Sequence, residues 1–212
     1  MIDSVLRPDG GTTSVEIVGA GWPVVLAHGA GAGREHPFMT GMRDRLAGAG
    51  FRVACFDYPY REEGRRAPGR FDPLVACHRA VYEHVAEVCG RPPFLVGKSM
   101  GGRIGSHLAV AAPGWVFLGY PLVPVGRTEP RDVSHLASLG AMLFVQGERD
   151  ALAPIDLITA VVAGIATAEL VAVADADHGF RVPRRAGIDA EGMLDHVATV
   201  VVAWLRQRGG GK

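Results

Sequence analysis

Short, continuous apolar runs alternate along this chain with longer stretches of helical character, and this alternation most constrains the fold. Runs that are apolar on both faces suit strands covered on both sides, as in a parallel sheet flanked by helices. They are rich in Val, Leu and Phe and lie at 15–18, 23–27, 51–56, 93–96, 115–119, 141–145 and 168–173. We interpret the first two as a strand pair joined at 19–21.

Helical patterns fill the spaces between these runs and follow the last of them. Helix-start signals support two of the predicted helices, because Pro37 and the pair Asp72-Pro73 suit a first helical turn. The predicted helices cover 38–49, 72–89, 100–112, 155–166 and 188–207. Repeated strand–helix units predict a single-domain α/β fold with a mostly parallel, doubly wound sheet flanked by helices. In that architecture ligands bind beyond the carboxyl ends of the strands.

Composition excludes several classes of protein. Hydrophobic residues make up 48% of the 212 residues, which is too many for a disordered chain. The 22 basic and 22 acidic residues cancel, so the chain lacks the overall charge that attracts nucleic acid. No apolar run approaches the roughly 20 residues that cross a bilayer. We expect a cytoplasmic, single-domain protein, a monomer or homodimer, with a domain over 1–208 and a flexible tail over 209–212.

One motif carries most of the functional inference. Gly97-Lys98-Ser99-Met100-Gly101 matches G-x-S-x-G, with an apolar strand before it and a helical pattern after it. This is the context of a nucleophile elbow, a tight turn that raises a reactive serine above the sheet edge. Gly97 and Gly101 would remove side chains that clash in such a turn. Because chance alone supplies roughly 0.1 matches in a chain of this composition, the strand–helix context gives the motif its weight.

Two stretches resemble nucleotide-binding motifs. A phosphate-binding G-x-x-x-x-G-K-S loop ending at Ser99 would need glycine at position 92, where the chain has Pro92. The stretch after His28 spaces its glycines as G-x-G-x-G, and Arg34 stands where G-x-G-x-x-G requires glycine. Neither stretch therefore predicts a nucleotide, and we expect no cofactor and no metal.

A reactive serine needs a base, and the base needs an acid. His178 directly follows the run at 168–173, and Asp150 follows the run at 141–145. We predict that His178 takes the proton of Ser99 and that Asp150 orients His178. Glu148 and Asp156 are the competing acids. Among the other histidines, only His28 also ends a strand, and we expect it to anchor the neighbouring loop.

The same strand ends supply an oxyanion hole. We predict backbone N–H donors from Met100, the residue after the nucleophile, and from Ala30 in the glycine-rich loop after the run at 23–27, with Gly31 as the next candidate. Three residues near these loops are candidates for a substrate rim: Gly31, Glu35 and Tyr58. An arginine-rich stretch at 61–70 could also reach the site mouth, although a solvated loop explains it as well.

These motifs taken together resemble those of the α/β-hydrolase superfamily. The segments LAHGAGAG, FDYPY, VGKSMGGR, FVQGERD and DHGF stand in the superfamily's order, and the resemblance covers nearly the whole chain. More narrowly, the chain looks like the small dienelactone-hydrolase-like branch of predicted hydrolases that are related to a testis-expressed protein and to a subunit of the NSL chromatin complex. Dienelactone hydrolases proper use a cysteine nucleophile, whereas Ser99 implies serine esterase chemistry. The short stretch at 120–140 implies little or no cap.

The resulting functional prediction is a serine hydrolase that cleaves a small carboxylic ester or thioester through an acyl-enzyme on Ser99. Two alternatives remain open. The fold could serve as a non-catalytic binding or scaffold protein, or the same three residues could transfer the acyl group to an acceptor other than water.

Overall fold

The computed structural model describes residues 1–209 and folds them around one eight-stranded sheet. The strands are β1 (Ile2–Leu6), β2 (Thr12–Gly19), β3 (Trp22–Ala27), β4 (Phe51–Phe56), β5 (Phe94–Lys98), β6 (Trp115–Leu118), β7 (Met142–Gly147) and β8 (Ala168–Val173). The helices are α1 (Pro37–Gly48), α2 (Pro59–Glu62), α3 (Phe71–Cys89), α4 (Met100–Gly105), α5 (Ile155–Ala163) and α6 (Ala190–Gly209). Short 3₁₀ turns occupy Ser134–Ser138 and Arg184–Ala186.

The sheet is mostly parallel, which confirms the predicted class. Its strand order is β1-β2-β4-β3-β5-β6-β7-β8, and the strands from β4 to β8 in this order run parallel to one another. The first two strands join the edge in antiparallel pairing. The predicted pairing of the first two apolar runs is wrong, because β4 lies between β2 and β3. The edge strand β1 was not predicted.

Helices cover both faces of the sheet and make two separate cores. Alternate residues of each strand point to opposite faces, so Val24 and Leu26 belong to one core while Val25 and Ala27 belong to the other. Apolar residues of α1 and α6 fill the first core, and those of α3, α4 and α5 fill the second. This double cover explains why the central strands are apolar at nearly every position.

The path of the chain through the sheet creates a crevice at its centre. After β3 the chain moves to β4 on one side, and it then returns to place β5 on the other side of β3. The loops that follow β3 and β5 therefore lead in opposite directions, and they leave an open cleft at the carboxyl ends of these two strands. The glycine-rich loop and Ser99 stand at this cleft.

Helix α4 is much shorter than predicted, since it ends at Gly105 rather than near residue 112. Three of its six residues are glycines, which favour helix poorly. The side chain of the next residue, Ser106, hydrogen-bonds to the carbonyl oxygen of Arg103 at 2.8 Å and so competes with the helical backbone.

Little covers the carboxyl edge of the sheet. The segment between β6 and β7 holds only the 3₁₀ turn at Ser134–Ser138, so the prediction of little or no cap is confirmed. None of the helices within residues 1–209 combines the length and apolarity that a bilayer crossing requires. Helix α6 runs through Gly209, which is buried against Trp22 and Phe94. The remaining residues of the predicted tail, 210–212, lie outside the described part of the chain.

The elbow glycines give a direct test of the fold. A Cβ atom on Gly101 would lie 2.4 Å from the carbonyl oxygen of Ala27, and one on Gly97 would lie 2.2 Å from the amide nitrogen of Gly102. Because both neighbours are backbone atoms, they cannot rotate away. We expect Gly101→Ala to lower the free energy of unfolding by about 1–3 kcal/mol or more, measured by urea denaturation.

A matched control is Gly48→Ala at the end of α1. A Cβ atom there would meet nothing within 4 Å, so we expect no loss of stability and a gain of up to about 1 kcal/mol. Equal stability of Gly101→Ala and the wild type would contradict the tight packing of the elbow.

Candidate active site

Ser99 occupies a strained turn between β5 and α4. Its φ of 50° and ψ of −115° lie in a region that side chains other than glycine rarely adopt. The turn is held on both sides, since the Ser99 amide donates to the carbonyl oxygen of Leu118 at 3.0 Å and its carbonyl accepts from Arg103 at 3.1 Å. The strand pairing and the helix together impose this conformation, which raises the hydroxyl above the sheet edge.

Three side chains that are distant in sequence meet at this edge. His178 Nε2 lies 2.8 Å from Ser99 Oγ, and His178 Nδ1 lies 2.7 Å from Asp150 Oδ2. A hydroxyl on one side and a carboxylate on the other fit a neutral ring that carries its proton on Nδ1. In that state the serine hydroxyl donates to Nε2, and Nδ1–H donates to Asp150.

Asp150 is fixed from several directions. Its side chain is fully buried, and it accepts hydrogen bonds from the backbone amide of Leu152 at 2.7 Å and from the side-chain amide of Gln146. Gln146 in turn accepts from the backbone amide of Tyr120 at 3.0 Å. With its other contacts satisfied, the carboxylate keeps one orientation toward His178. Gln146 is a supporting residue that the sequence pattern did not single out.

The competing acids lie elsewhere. Glu148 is exposed and accepts from the backbone amide of Asp175 at 3.2 Å, so it braces the neighbouring loop rather than the imidazole. Asp156 lies in the first turn of α5 and is exposed. The structure therefore brings together the serine, the histidine and Asp150, and it leaves both other candidates apart from them.

A tight turn carries His178. The carboxylate of Asp177 accepts from the backbone amides of Gly179 at 2.8 Å and Arg181 at 2.9 Å, so this residue stabilises the loop. Phe180 continues the turn at a φ of 61° and stacks on Phe38, with ring centroids 5.8 Å apart. These contacts define the backbone that presents the imidazole.

The predicted oxyanion donors flank Ser99. Met100 is the first residue of α4, where backbone N–H groups have no acceptor within the helix. Ala30 lies in the loop after β3 and lines the same cavity as Ser99. Positive charge from the first turn of α4 also favours an anion near Ser99. Gly31 adopts a φ of 73° and lies outside the lining of this cavity.

His28 anchors the glycine-rich loop, as the sequence predicts. The ring is fully buried, its Nδ1 lies 2.8 Å from the carbonyl oxygen of Gly29, and its Nε2 accepts from the backbone amide of Tyr58 at 3.2 Å. Burial is the main cause that lowers the pKa of His28 below its usual 6.5. A neutral ring thus ties the loop after β3 to the end of β4.

None of the three predicted rim residues, Gly31, Glu35 and Tyr58, lines the cavity. Tyr58 is completely buried, with its hydroxyl 3.1 Å from His78 Nδ1, so it cannot contact a substrate. Glu35 is exposed and pairs with Arg34 at 3.2 Å, outside the cavity. Like Gly31, it belongs to the loop but not to the pocket wall. The residues at 61–70 also lie outside the wall, and Glu62 instead accepts from the backbone amide of Ser14 at 2.8 Å.

A cavity of about 520 Å³ opens beside Ser99. Its walls are largely apolar and include Pro37, Phe38, Met39, Phe180, Met193 and Leu194. The last two come from the first turns of α6, which is distant in sequence from every motif. Apolar spacing in α6 predicts burial but does not distinguish a pocket wall from the core, so the sequence missed them. His36 lies at the mouth and caps α1, because its Nδ1 accepts from the amide of Phe38 at 3.2 Å.

No three side chains of the His, Cys, Asp or Glu type form a metal-binding group within residues 1–209. The three cysteines, Cys55, Cys77 and Cys89, are free thiols.

Comparison with known proteins identifies the family. Residues 21–206 match the model of the α/β hydrolase domain family, which is most of the chain. This protein therefore belongs to that family. A search of curated proteins finds no match.

Solved structures share the whole fold at low identity. An α/β serine hydrolase without a lid from Xanthomonas campestris superposes with a TM-score of 0.78 at 18% identity, over 100% of this chain and 96% of the other. A thermophilic esterase from Thermogutta terrifontis gives 0.75 at 17% identity, over 99% of both chains. A dienelactone hydrolase from Anabaena variabilis gives 0.74 at 18% identity, over 98% and 97%.

Buried histidines predict how stability depends on pH. Burial lowers the pKa of His78, which packs beneath the loop after β4, to about 3. Between pH 6.5 and 3 the unfolded chain binds a proton that folded His78 does not, so the free energy of unfolding decreases as the pH falls. We expect His78→Asn to reduce this slope by about 1.4 kcal/mol per pH unit between pH 4 and 6, measured by urea denaturation.

The exposed His196 on α6 provides the control, since His196→Asn should leave the slope unchanged. A slope that is the same in His78→Asn and in the wild type would show that His78 binds its proton in the folded protein too.

Proposed function

We propose that this protein is a serine hydrolase that cleaves a carboxylic ester or thioester. One observation carries the proposal: the hydrogen-bonded series from Ser99 Oγ through His178 to the buried carboxylate of Asp150, at 2.8 and 2.7 Å. A serine hydroxyl is a weak nucleophile until a base takes its proton, and this arrangement supplies the base and fixes its ring.

Acylation begins with attack of Ser99 Oγ on the carbonyl carbon of the substrate. The hydroxyl proton passes to His178 Nε2 as the new C–O bond forms, and Asp150 stabilises the resulting imidazolium. The tetrahedral intermediate then collapses. The bond to the alcohol or thiol breaks, and the leaving group receives the proton from Nε2.

Deacylation repeats the same steps with water. His178 removes a proton from water, the oxygen attacks the acyl carbon, and the acid leaves as the proton returns to Ser99 Oγ. In both halves the carbonyl oxygen carries negative charge. The amides of Met100 and Ala30 are the proposed donors to that oxygen.

The cavity supports an apolar group on the substrate. Its aromatic and aliphatic walls begin directly beside Ser99, and about 520 Å³ is enough for a small acyl or alcohol group. The absence of a cap over the described carboxyl edge leaves the opposite side of Ser99 accessible to the rest of the substrate.

Replacing the nucleophile tests the proposal. We expect Ser99→Ala to reduce kcat toward p-nitrophenyl esters by about 10⁴-fold or more, because no oxygen remains to form the acyl-enzyme. A fluorophosphonate probe should label the wild type and fail to label this variant, as detected by intact mass.

The matched control is Ser4→Ala on the exposed edge strand, which should keep both labelling and turnover. A wild type that neither reacts with the probe nor turns over esters and thioesters would instead favour the non-catalytic binding alternative.

Replacing Asp150 tests its proposed role in orienting His178 and stabilising the imidazolium. In Asp150→Asn the side chain keeps its shape but loses its charge, so it no longer favours the proton on Nδ1 or stabilises the imidazolium. We expect kcat to fall by about 10⁴-fold, with fold and cavity retained.

Glu148→Gln is the comparison, since this carboxylate lies two residues away and contacts the Asp175 backbone. Steady-state kinetics should show near wild-type kcat for it. Equal losses in the two variants would contradict the assignment of Asp150.

A further inference from the structure

Lysine is rare in this sequence. Of the 22 lysine and arginine residues, only Lys98 and Lys212 are lysines, and Lys98 directly precedes Ser99. At the other described basic positions the chain uses arginine. The side chain of Lys98 is partly buried and lines the cavity, so its position calls for an explanation beyond surface charge.

Lys98 reaches the loop that carries the base. Its Nζ atom donates to the carbonyl oxygen of His178 at 2.7 Å and lies 5.3 Å from the ring centroid of Phe180. Gly119 at the end of β6 leaves the necessary space, because a Cβ atom there would lie 3.1 Å from Lys98 Nζ and 3.4 Å from His178 Nδ1. The ammonium group therefore occupies a narrow slot beside the imidazole.

This contact joins two backbone segments that must keep a fixed distance. The strand β5 ends at Lys98 and continues into Ser99, whereas the loop after β8 carries His178. Backbone hydrogen bonds tie that loop to the segment after β7. The amide of Glu148 donates to the carbonyl oxygen of Val173 at 3.1 Å, and the amide of Arg149 donates to that of Ala176 at 2.8 Å. The bond from Lys98 connects it instead to the nucleophile strand, at His178 itself.

We propose that Lys98 is a positioning residue, whose ammonium group fixes the His178 backbone relative to Ser99 and places a positive charge beside the imidazole. The inference rests on the proposed function. Since like charges repel, a cation at this position disfavours the imidazolium. A neutral imidazole is the form that can accept the serine proton.

Other charged and titratable groups near His178 also contribute to the electrostatic potential at its ring. Asp150 contacts the ring, and Asp177 lies in the same loop. Arg181, Glu191 and His36 line the cavity mouth, and Glu191 is paired with Arg45 at 2.7 Å. Burial lowers the pKa of Lys98 to about 8, while Asp150 and Asp177 act to raise it. The amine is thus mostly charged at neutral pH.

The test compares Lys98→Met with Lys98→Arg in the full chain. Methionine fills the stem without charge or donor, so we expect kcat to fall by about 10- to 100-fold with KM changed less than about twofold. The acid limb of the kcat–pH profile should move to higher pH, because the imidazolium is no longer opposed. Lys98→Arg keeps the positive charge, so the acid limb of its kcat–pH profile should match that of the wild type.

Arg185→Met is the matched control, as it removes an exposed cation from the same loop that pairs with Asp175 and does not line the cavity. Its profile should match the wild type. An unchanged kcat in Lys98→Met, or a reduced kcat with an unmoved acid limb, would overturn the proposal. So would identical profiles of Lys98→Met and Lys98→Arg.

A measurement on the wild type covers the case in which Lys98→Met does not fold. With lysine labelled by ¹³C at Cε, only two side chains give signals, and Lys98→Arg identifies that of Lys98. We expect the Lys98 signal to shift as His178 titrates, and a signal unaffected by that titration would contradict the inference. Failure of the wild type to react with a fluorophosphonate would count against the proposed function instead.

Discussion

The hydrogen bond between Ser99 Oγ and His178 Nε2 is the interaction on which the arrangement of the site depends. It joins side chains 79 positions apart in the sequence over 2.8 Å. Such a contact forms only if β5 and β8 keep their places in the sheet and the loops after them keep their lengths. A serine held at positive φ supplies one end of the bond, and a turn built by Asp177 supplies the other. Strain at the nucleophile is tolerated because rigid strands and α4 hold the turn from both sides.

Polar groups around this bond form a continuous support. Asp150 is held by Gln146, which is itself bonded to the backbone of Tyr120 at the end of β6. The ammonium of Lys98 contacts the backbone of His178 itself. The base is therefore held from β5, β6 and β7 at once. Since catalysis by positioning is sensitive to displacements of about 1 Å, this bracing is what the proposed chemistry requires.

Much of the fold was readable from local patterns. Strands covered on both faces are largely apolar, so the seven apolar runs located seven of the eight strands. The strand–helix context singled out Ser99. The order of the strands in the sheet could be predicted less well. The first two runs are consecutive but separated by β4, and periodicity carries no information about which strands are neighbours. Helix α4 ends before its predicted last residue because glycines and Ser106 weaken it. The spacing of apolar residues carries no information about this effect.

The candidate site likewise contains residues that the sequence could predict and residues that it could not. Residues at strand ends, namely Ser99, Asp150 and His178, were predictable because parallel strands deliver their carboxyl ends to one edge. Tyr58 also follows a strand, yet it points into the core, and only the packing against His78 reveals this. The walls formed by Met193 and Leu194 come from the far end of the chain. Long-range packing decides such contacts, and no local motif encodes them.

A crystal structure of the protein after reaction with a small fluorophosphonate would show whether Ser99 is the nucleophile. We expect a phosphorus–oxygen bond to Ser99, with the phosphoryl oxygen within hydrogen-bonding distance of the amide nitrogens of Met100 and Ala30 and with His178 still paired with Asp150. An adduct on another side chain, or one whose oxygen points away from both amides, would contradict this expectation.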